Sequence, residues 1–280
     1  MAAILLLLGL LITSLGKSAT QSVGICYGQI AKDLPPPAEV IDLCKANDIE
    51  RFIGNEIKPN DTIAPYVLPA TLDIRASLAS EEIKVLTAID MTLLESSYPP
   101  STGSFSDVAT SYMNQIVAFL ATTGAPLLAN VYSYYSYMHN TQTIDRNYAL
   151  FTSPGVVVRD GNLEYQNLFV ATMDALYSAL KKVSGANMGV VISESGSSFP
   201  GGIAAAVENA GTYYSNLIRY FKNGTPKRLG YLETYLFAMF NENQKGPAES
   251  EINFGLFFPN KQPKYQLTSF TSQSNLFLPS

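Results

Sequence analysis

Three glutamates stand at or just past the ends of short apolar runs. Glu194 follows Val190-Val191-Ile192-Ser193, Glu56 follows Arg51-Phe52-Ile53-Gly54-Asn55, and Glu242 lies two residues beyond the run 229–240. In open and closed α/β sheets, ligands collect outside the carboxyl ends of the strands. A carboxylate at such an end could face a substrate. The same acid in an ordinary loop is a solvated cap, since glutamates are mostly exposed. Position alone leaves both readings open.

Elimination narrows the chemistry. The one histidine, His139, sits among tyrosines with no nucleophile elbow nearby, which argues against a Ser–His–Asp triad and a His/Cys metal cluster. No phosphate-cradling glycine loop is present. The net charge is −5 without a basic cluster, so nucleic acid and anionic membranes are poor partners. No cofactor and no metal is expected. Any catalysis must rest on carboxylates.

These acids need strands to carry them. The run at 190–192 is β-branched throughout, which suits a strand buried on both faces of a parallel sheet. Further strands are expected at 23–27, 51–56, 83–89, 126–135 and 229–240. Helices are expected between them. Residues 35–48 begin with prolines, and Ile63, Val67, Ala70, Ile74 and Leu78 recur at helical spacing, with Pro69 bending that helix. Val108, Tyr112, Ile116 and Phe119 mark a helix ended by Gly124. Phe169, Met173, Leu176, Leu180 and Val183 recur at amphipathic spacing, as do Val207, Ala210, Tyr214, Leu217 and Phe221. A hairpin is expected near 156–161. Alternating strands and helices predict a parallel sheet clothed by helices, and three acids on one rim fit a TIM-type (β/α) barrel. Tyr132, Tyr134, Tyr135 and Tyr137 crowd one strand end, where aromatic faces could stack on sugar rings.

The first 20 residues stand apart. An apolar run at 3–15 followed by Ser18, Ala19 and Thr20 reads as a signal peptide, too short to span a membrane comfortably. The remainder, 21–280, is expected to form one domain, 47% of the chain being hydrophobic and no linker dividing it. Cys26 and Cys44 fit two buried thiols better than one bridge. Asn60-Asp61-Thr62 and Asn223-Gly224-Thr225 are glycosylation acceptor motifs that suit a secretory route.

Read together, several motifs resemble plant glycoside hydrolase family 17, the β-1,3-glucanases. They are Gly24-Ile25-Cys26-Tyr27-Gly28, Gly54-Asn55-Glu56, Ser193-Glu194-Ser195-Gly196 and Phe237-Ala238-Met239-Phe240-Asn241-Glu242-Asn243-Gln244-Lys245. Tyr148-Ala149-Leu150-Phe151, Phe254-Gly255-Leu256-Phe257 and Pro259-Asn260-Lys261-Gln262-Pro263 match as well. The resemblance implies that Glu56 is the proton donor and Glu194 the nucleophile of a retaining hydrolase. Such an enzyme needs two carboxyls ~5–5.5 Å apart. The negative charge of Glu194 would keep Glu56 protonated, with Lys245 offsetting the excess. The expected substrate-binding set is Tyr27, Asn55, Asn130, Tyr132, Glu242, Lys245 and Glu251.

Two departures stand out. The resembled motif continues Trp-Pro after Ser-Glu-Ser-Gly, whereas Ser197 and Ser198 follow here and the chain has no tryptophan, so a stacking surface at the cleft is expected to be lost. Only six of eight barrel strands can be counted, the two missing βα units falling between Ile49 and Arg51. Strand 23–27 must then close directly on strand 51–55 or leave a gap, and the small interior of a six-stranded barrel favours the gap. The strand of Glu56 should run parallel to that of Glu194. The expected protein is a secreted monomer acting on β-glucan in the extracellular space or cell wall, with the vacuole as the other destination. Its expected role is in cell-wall carbohydrate metabolism or plant defence. The alternative is a catalytically impaired relic that binds glucan.

Overall fold

The computed structural model describes residues 87–198, 204–246 and 249–267, strands at 23–26 and 49–53, and isolated positions 34, 35, 39, 43, 46 and 72. The leader expected at 1–20, the acceptor motif Asn60-Asp61-Thr62 and the helix expected at 63–78, apart from position 72, lie outside that set, as does most of the helix expected at 35–48.

Six parallel strands form the central sheet. They are β1 (Val23–Cys26), β2 (Ile49–Ile53), β3 (Ala88–Asp90), β6 (Leu127–Asn130), β9 (Val190–Ser195) and β10 (Thr234–Leu236). Their order is β2-β1-β10-β9-β6-β3, with every neighbouring pair parallel. β2 therefore runs in the same sense as β9, as expected. Two hairpins stand outside the sheet: β4 (Leu94–Ser96) with β5 (Ser104–Phe105), and β7 (Val158–Asp160) with β8 (Leu163–Tyr165). The second is the hairpin expected near 156–161.

The gap lies elsewhere than expected. β1 pairs directly with β2, Gly24 opposite Arg51 through Cys26 opposite Ile53. Pairing satisfies backbone groups that a gap would leave without partners. β2 and β3 are instead the two ends of the sheet, and among the described residues no ladder closes it into a barrel.

The long helices form where the apolar spacing suggested them, but α1 buries Ala109, Met113, Ile116, Val117 and Leu120 rather than the line through Val108, which is exposed. In α1 (Asp107–Thr123), Ser106 caps the start by accepting from the Ala109 N–H, and Gly124 stops it in the left-handed conformation at φ 63°. α4 (Leu168–Lys182) begins at Asn167, whose side chain accepts from the Val170 N–H at 3.0 Å. α5 spans Ala204–Tyr220. Between α1 and α4 lie the shorter α2 (Ser133–His139) and α3 (Arg146–Ala149), and α6 (Glu249–Ile252) follows β10. Nearly all of α4 is buried, because its outer face is covered by residues 100–105. Each fully buried leucine there, such as Leu176 and Leu180, contributes ~1.5–3 kcal/mol relative to an exposed one.

Two expected strands are shorter than the apolar runs that suggested them. The run 126–135 gives strand only at Leu127–Asn130, and its tyrosines begin α2. The run 229–240 gives strand only at Thr234–Leu236. Its last residues pair with a later segment: the Ala238 N–H donates to the Phe254 carbonyl, and the Phe257 N–H to that of Met239. The buried residues that follow each strand, Val131 and Tyr134 in one run and Phe237, Ala238, Met239 and Phe240 in the other, pack past its end rather than extend it.

Candidate active site

A local irregularity decides where Glu194 stands. Against β6, Ala129 faces Ile192 but Asn130 faces Glu194. Against β10, Thr234 faces Ile192 and Leu236 faces Ser195. Both neighbours thus see one extra residue in β9 after Ile192. A bulge of this kind re-aims the following side chain. Strict two-residue alternation would have kept Glu194 on the face of Ile192.

Glu194 is 8% exposed. Tyr132, at the start of α2, donates its hydroxyl to Glu194 Oε2 at 2.6 Å. The Val131 N–H donates to the Glu194 carbonyl at 2.8 Å, so the two residues just past β6 hold both its backbone and its side chain. Beside it, Ser193 Oγ donates to Asn130 Oδ1 at 2.7 Å, both residues being buried. Ser195 Oγ lies 3.0 Å from the Tyr213 hydroxyl, which also meets Ser133 Oγ at 3.2 Å. Burial pushes the Tyr213 hydroxyl pKa up, so it stays protonated.

Gly196 explains the fourth position of the motif. A Cβ built there would stand 2.1 Å from the Phe237 carbonyl oxygen, so only glycine admits so close a strand end. The Tyr214 hydroxyl closes the same junction. It lies 2.5 Å from the Phe237 carbonyl and 3.0 Å from that of Phe254, and accepts from the Ser197 N–H at 3.3 Å. Ser197 and Ser198 are fully buried. The two serines that stand where the resembled motif carries Trp-Pro are therefore interior here.

The second half of the rim is ionic. Lys245 Nζ lies 3.7 Å from Glu242 Oε2 and 3.9 Å from Glu251 Oε2. It also stands 4.2 Å above the Phe237 ring, a cation–π contact of ~0.5–2 kcal/mol. Tyr135 donates to Glu251 Oε1 at 2.5 Å. The Tyr132 and Tyr135 rings lie 5.6 Å apart and both pack edge-on or tilted against Phe254.

The structure thus brings together Asn130, Tyr132, Glu194, Glu242, Lys245 and Glu251 at the carboxyl ends of β6, β9 and β10. Tyr27, Asn55 and Glu56 lie outside the described residues. The tyrosine platform needs correction. Tyr134 is 3% exposed and belongs to a buried cluster with Val191, Tyr235, Phe237 and Phe254. Only Tyr132, Tyr135 and Tyr137 retain partial exposure. Sequence reasoning missed Tyr213, the neighbour of a helix-periodic tyrosine but itself off the apolar spacing. It also missed Phe237 and Phe254 as the floor of the rim.

A family model for "Glycosyl hydrolases family 17" matches residues 50–269. The chain belongs to this family. A "Glucan endo-1,3-beta-glucosidase" of Vitis vinifera is 43% identical over 332 residues, covering 95% of this chain and 96% of that protein. "Glucan endo-1,3-beta-glucosidase B" of Solanum lycopersicum is 38% identical, covering 97% of this chain and 94% of its own. Among solved structures, CJP38, a β-1,3-glucanase and allergen of Cryptomeria japonica pollen, superposes with a TM-score of 0.81 at 34% identity. That likeness covers 89% of this chain and 99% of the pollen protein. The family 17 match opens at residue 50, beside the Ile49–Arg51 junction. The 332 aligned positions of the grape relative exceed the 280 residues here by 52, so this chain lacks at least that many within the aligned span. The family fold is a TIM-type α/β barrel, and six of its parallel strands are present among the described residues.

Proposed function

We propose that the chain is a retaining hydrolase of β-1,3-glucan, with Glu194 as nucleophile and Glu56 as acid/base. The observation that carries the reading is Glu194 itself. It is re-aimed by a bulge at the carboxyl end of β9, nearly buried, and oriented by the Tyr132 hydroxyl at 2.6 Å. The names of the relatives, glucan endo-1,3-beta-glucosidases, supply the substrate class.

The chemistry runs in two steps. A carboxylate oxygen of Glu194 bonds to the anomeric carbon as the glycosidic bond breaks, and the leaving oxygen takes the Glu56 proton. Water then attacks the glycosyl ester, Glu56 takes the water proton, and Glu194 is released as carboxylate with the configuration retained. Lys245, between Glu242 and Glu251, balances charge along the rim. Asn130 and Tyr132 bind the sugar beside the reacting carbon, and Tyr27 and Asn55 complete that set.

Hydrolysis is favoured over binding alone because the relatives are named as enzymes and Glu194 keeps a positioned partner. Secretion through a cleaved leader at 1–20 completes the reading. One relative is named a basic vacuolar isoform, and the vacuole is the alternative destination. The test is reducing-sugar release from laminarin by the purified protein beside Glu194→Gln. Activity in the parent and its loss in the variant are expected, with retained anomeric configuration by NMR; equal release by both would end the assignment.

A further inference from the structure

We infer that Tyr135 is a positioning residue for the ionic half of the rim: its hydroxyl holds Glu251 so that Lys245 stays shared between Glu251 and Glu242. The inference rests on the reading of this rim as a hydrolase site.

The geometry is a chain of contacts with one firm link. Glu251 lies on α6, a single turn with little of its own to hold it. Its Oε1 accepts the Tyr135 hydroxyl at 2.5 Å, while its Oε2 faces Lys245 Nζ across 3.9 Å. Lys245 faces Glu242 across 3.7 Å. Both ion pairs are long, and the lysine and Glu251 side chains are about one-quarter exposed, so neither pair fixes its partner strongly. The short tyrosine bond is the element that does.

Tyr135 is itself held from several sides. Its ring packs on Tyr132 and Tyr134 from α2, on Phe254, and in parallel on His139 at 6.3 Å. Burial, then the hydrogen bond to Glu251 and its charge, push the Tyr135 hydroxyl pKa far up, so it remains a donor across the working pH range. The titratable and charged groups around it are Tyr132, Tyr134 and His139 on its own element, Glu251 on α6, and Lys245 and Glu242 beyond. Through the Tyr132 ring the same cluster touches the residue that orients Glu194.

Tyr135→Phe keeps the ring and removes the tether. Glu251 then turns toward solvent, and the Lys245 charge is less compensated at the cleft. A more positive local potential favours the ionised forms of the catalytic carboxyls. Both limbs of the pH–activity profile should move to lower pH, and kcat on laminarin should fall about threefold to tenfold with KM changed less than twofold. Glu251→Gln should move the profile the same way, and the double variant should add little to either single one. Amide hydrogen exchange at residues 249–254 should accelerate in Tyr135→Phe, a readout independent of activity. An unmoved profile in an active protein, or unchanged exchange at those amides, overturns the inference. If the parent itself releases no sugar, the hydrolase reading fails, while faster exchange still upholds the tether.

Discussion

Asp174 and Glu194 are both nearly or fully buried, and their surroundings differ in kind. Asp174 sits in the middle of α4, fully buried. Its Oδ2 accepts from the Lys227 N–H at 2.9 Å, and Lys227 Nζ reaches Ser178, which bonds the Pro100 carbonyl. Burial pushes the Asp174 carboxyl up, against the opposite pull of the Thr225 and Tyr165 hydroxyls and of Lys227. This cluster ties α4 to the loop before β10 and to the hairpin excursion at Pro100. Glu194, by contrast, stands past a bulge at a strand end, oriented by a tyrosine hydroxyl and flanked by an ionic rim. Burial alone does not mark a catalytic acid. Glu194 lies at the carboxyl end of the sheet with a tyrosine hydroxyl on its carboxylate, whereas Asp174 is locked into a helix–loop cluster.

Substitutions can test that distinction. The largest effect belongs to Glu194→Gln, which should lower laminarin turnover by ~10³-fold or more, about 4 kcal/mol of barrier, while the melting temperature stays nearly unchanged. Asp174→Ala should do the reverse. It leaves the Lys227 N–H without its acceptor and should cost ~1–3 kcal/mol of stability by denaturant unfolding, with kcat per folded molecule unchanged. If Asp174→Ala instead abolished turnover in a fully folded protein, the contrast between the two acids would collapse.

Gly196→Ala joins both regions of behaviour, because the added methyl meets the Phe237 carbonyl and must part β9 from the segment after β10. A stability loss of ~1–3 kcal/mol is expected, together with lower kcat, since Glu194 lies two residues upstream. Retention of both would show that the strand ends can separate freely.

The smallest effect is the pH dependence of Asp174. Its folded-state pKa is raised above the ordinary 3.8, so the folded protein binds this proton more readily than the unfolded chain. The stability it contributes is fully present below the unfolded value and is lost as pH rises through the folded one. Asp174→Asn, which keeps an acceptor but carries no charge, should therefore gain most relative to the parent at neutral pH. That difference should shrink as pH falls toward 3.8; a constant offset in urea titrations across this range would contradict it.

Much of the architecture was legible from residue order. The helices α4 and α5 follow from their 3–4 spacing, because an amphipathic stripe is a local property that packing only has to accept, whereas α1 was legible as a helix but buries Met113, Val117 and Leu120 instead of the line through Val108. The six strands, their common direction and the acid at the end of β9 were legible for the same reason. The motifs around Glu194, Glu242 and Lys245 were sufficient to indicate the family.

Tertiary contacts decided the rest. The run at 126–135 reads as one strand because tyrosine favours strands, yet it turns into α2 so that Tyr132 can reach Glu194 and Tyr134 can bury against Phe237 and Phe254. The bulge in β9 has no local signature, since Ser193, Glu194 and Ser195 show no apolar alternation to break. It exists only as a register against β6 and β10. The pairing of β1 with β2 is likewise a matter of which backbone groups lie within reach once the intervening units are absent. Residue order determined which segments would be helix, strand and acid-bearing end. Which way Glu194 points, and what holds Glu251 beside Lys245, depends on hydrogen bonds between residues far apart in the chain, which no local pattern encodes.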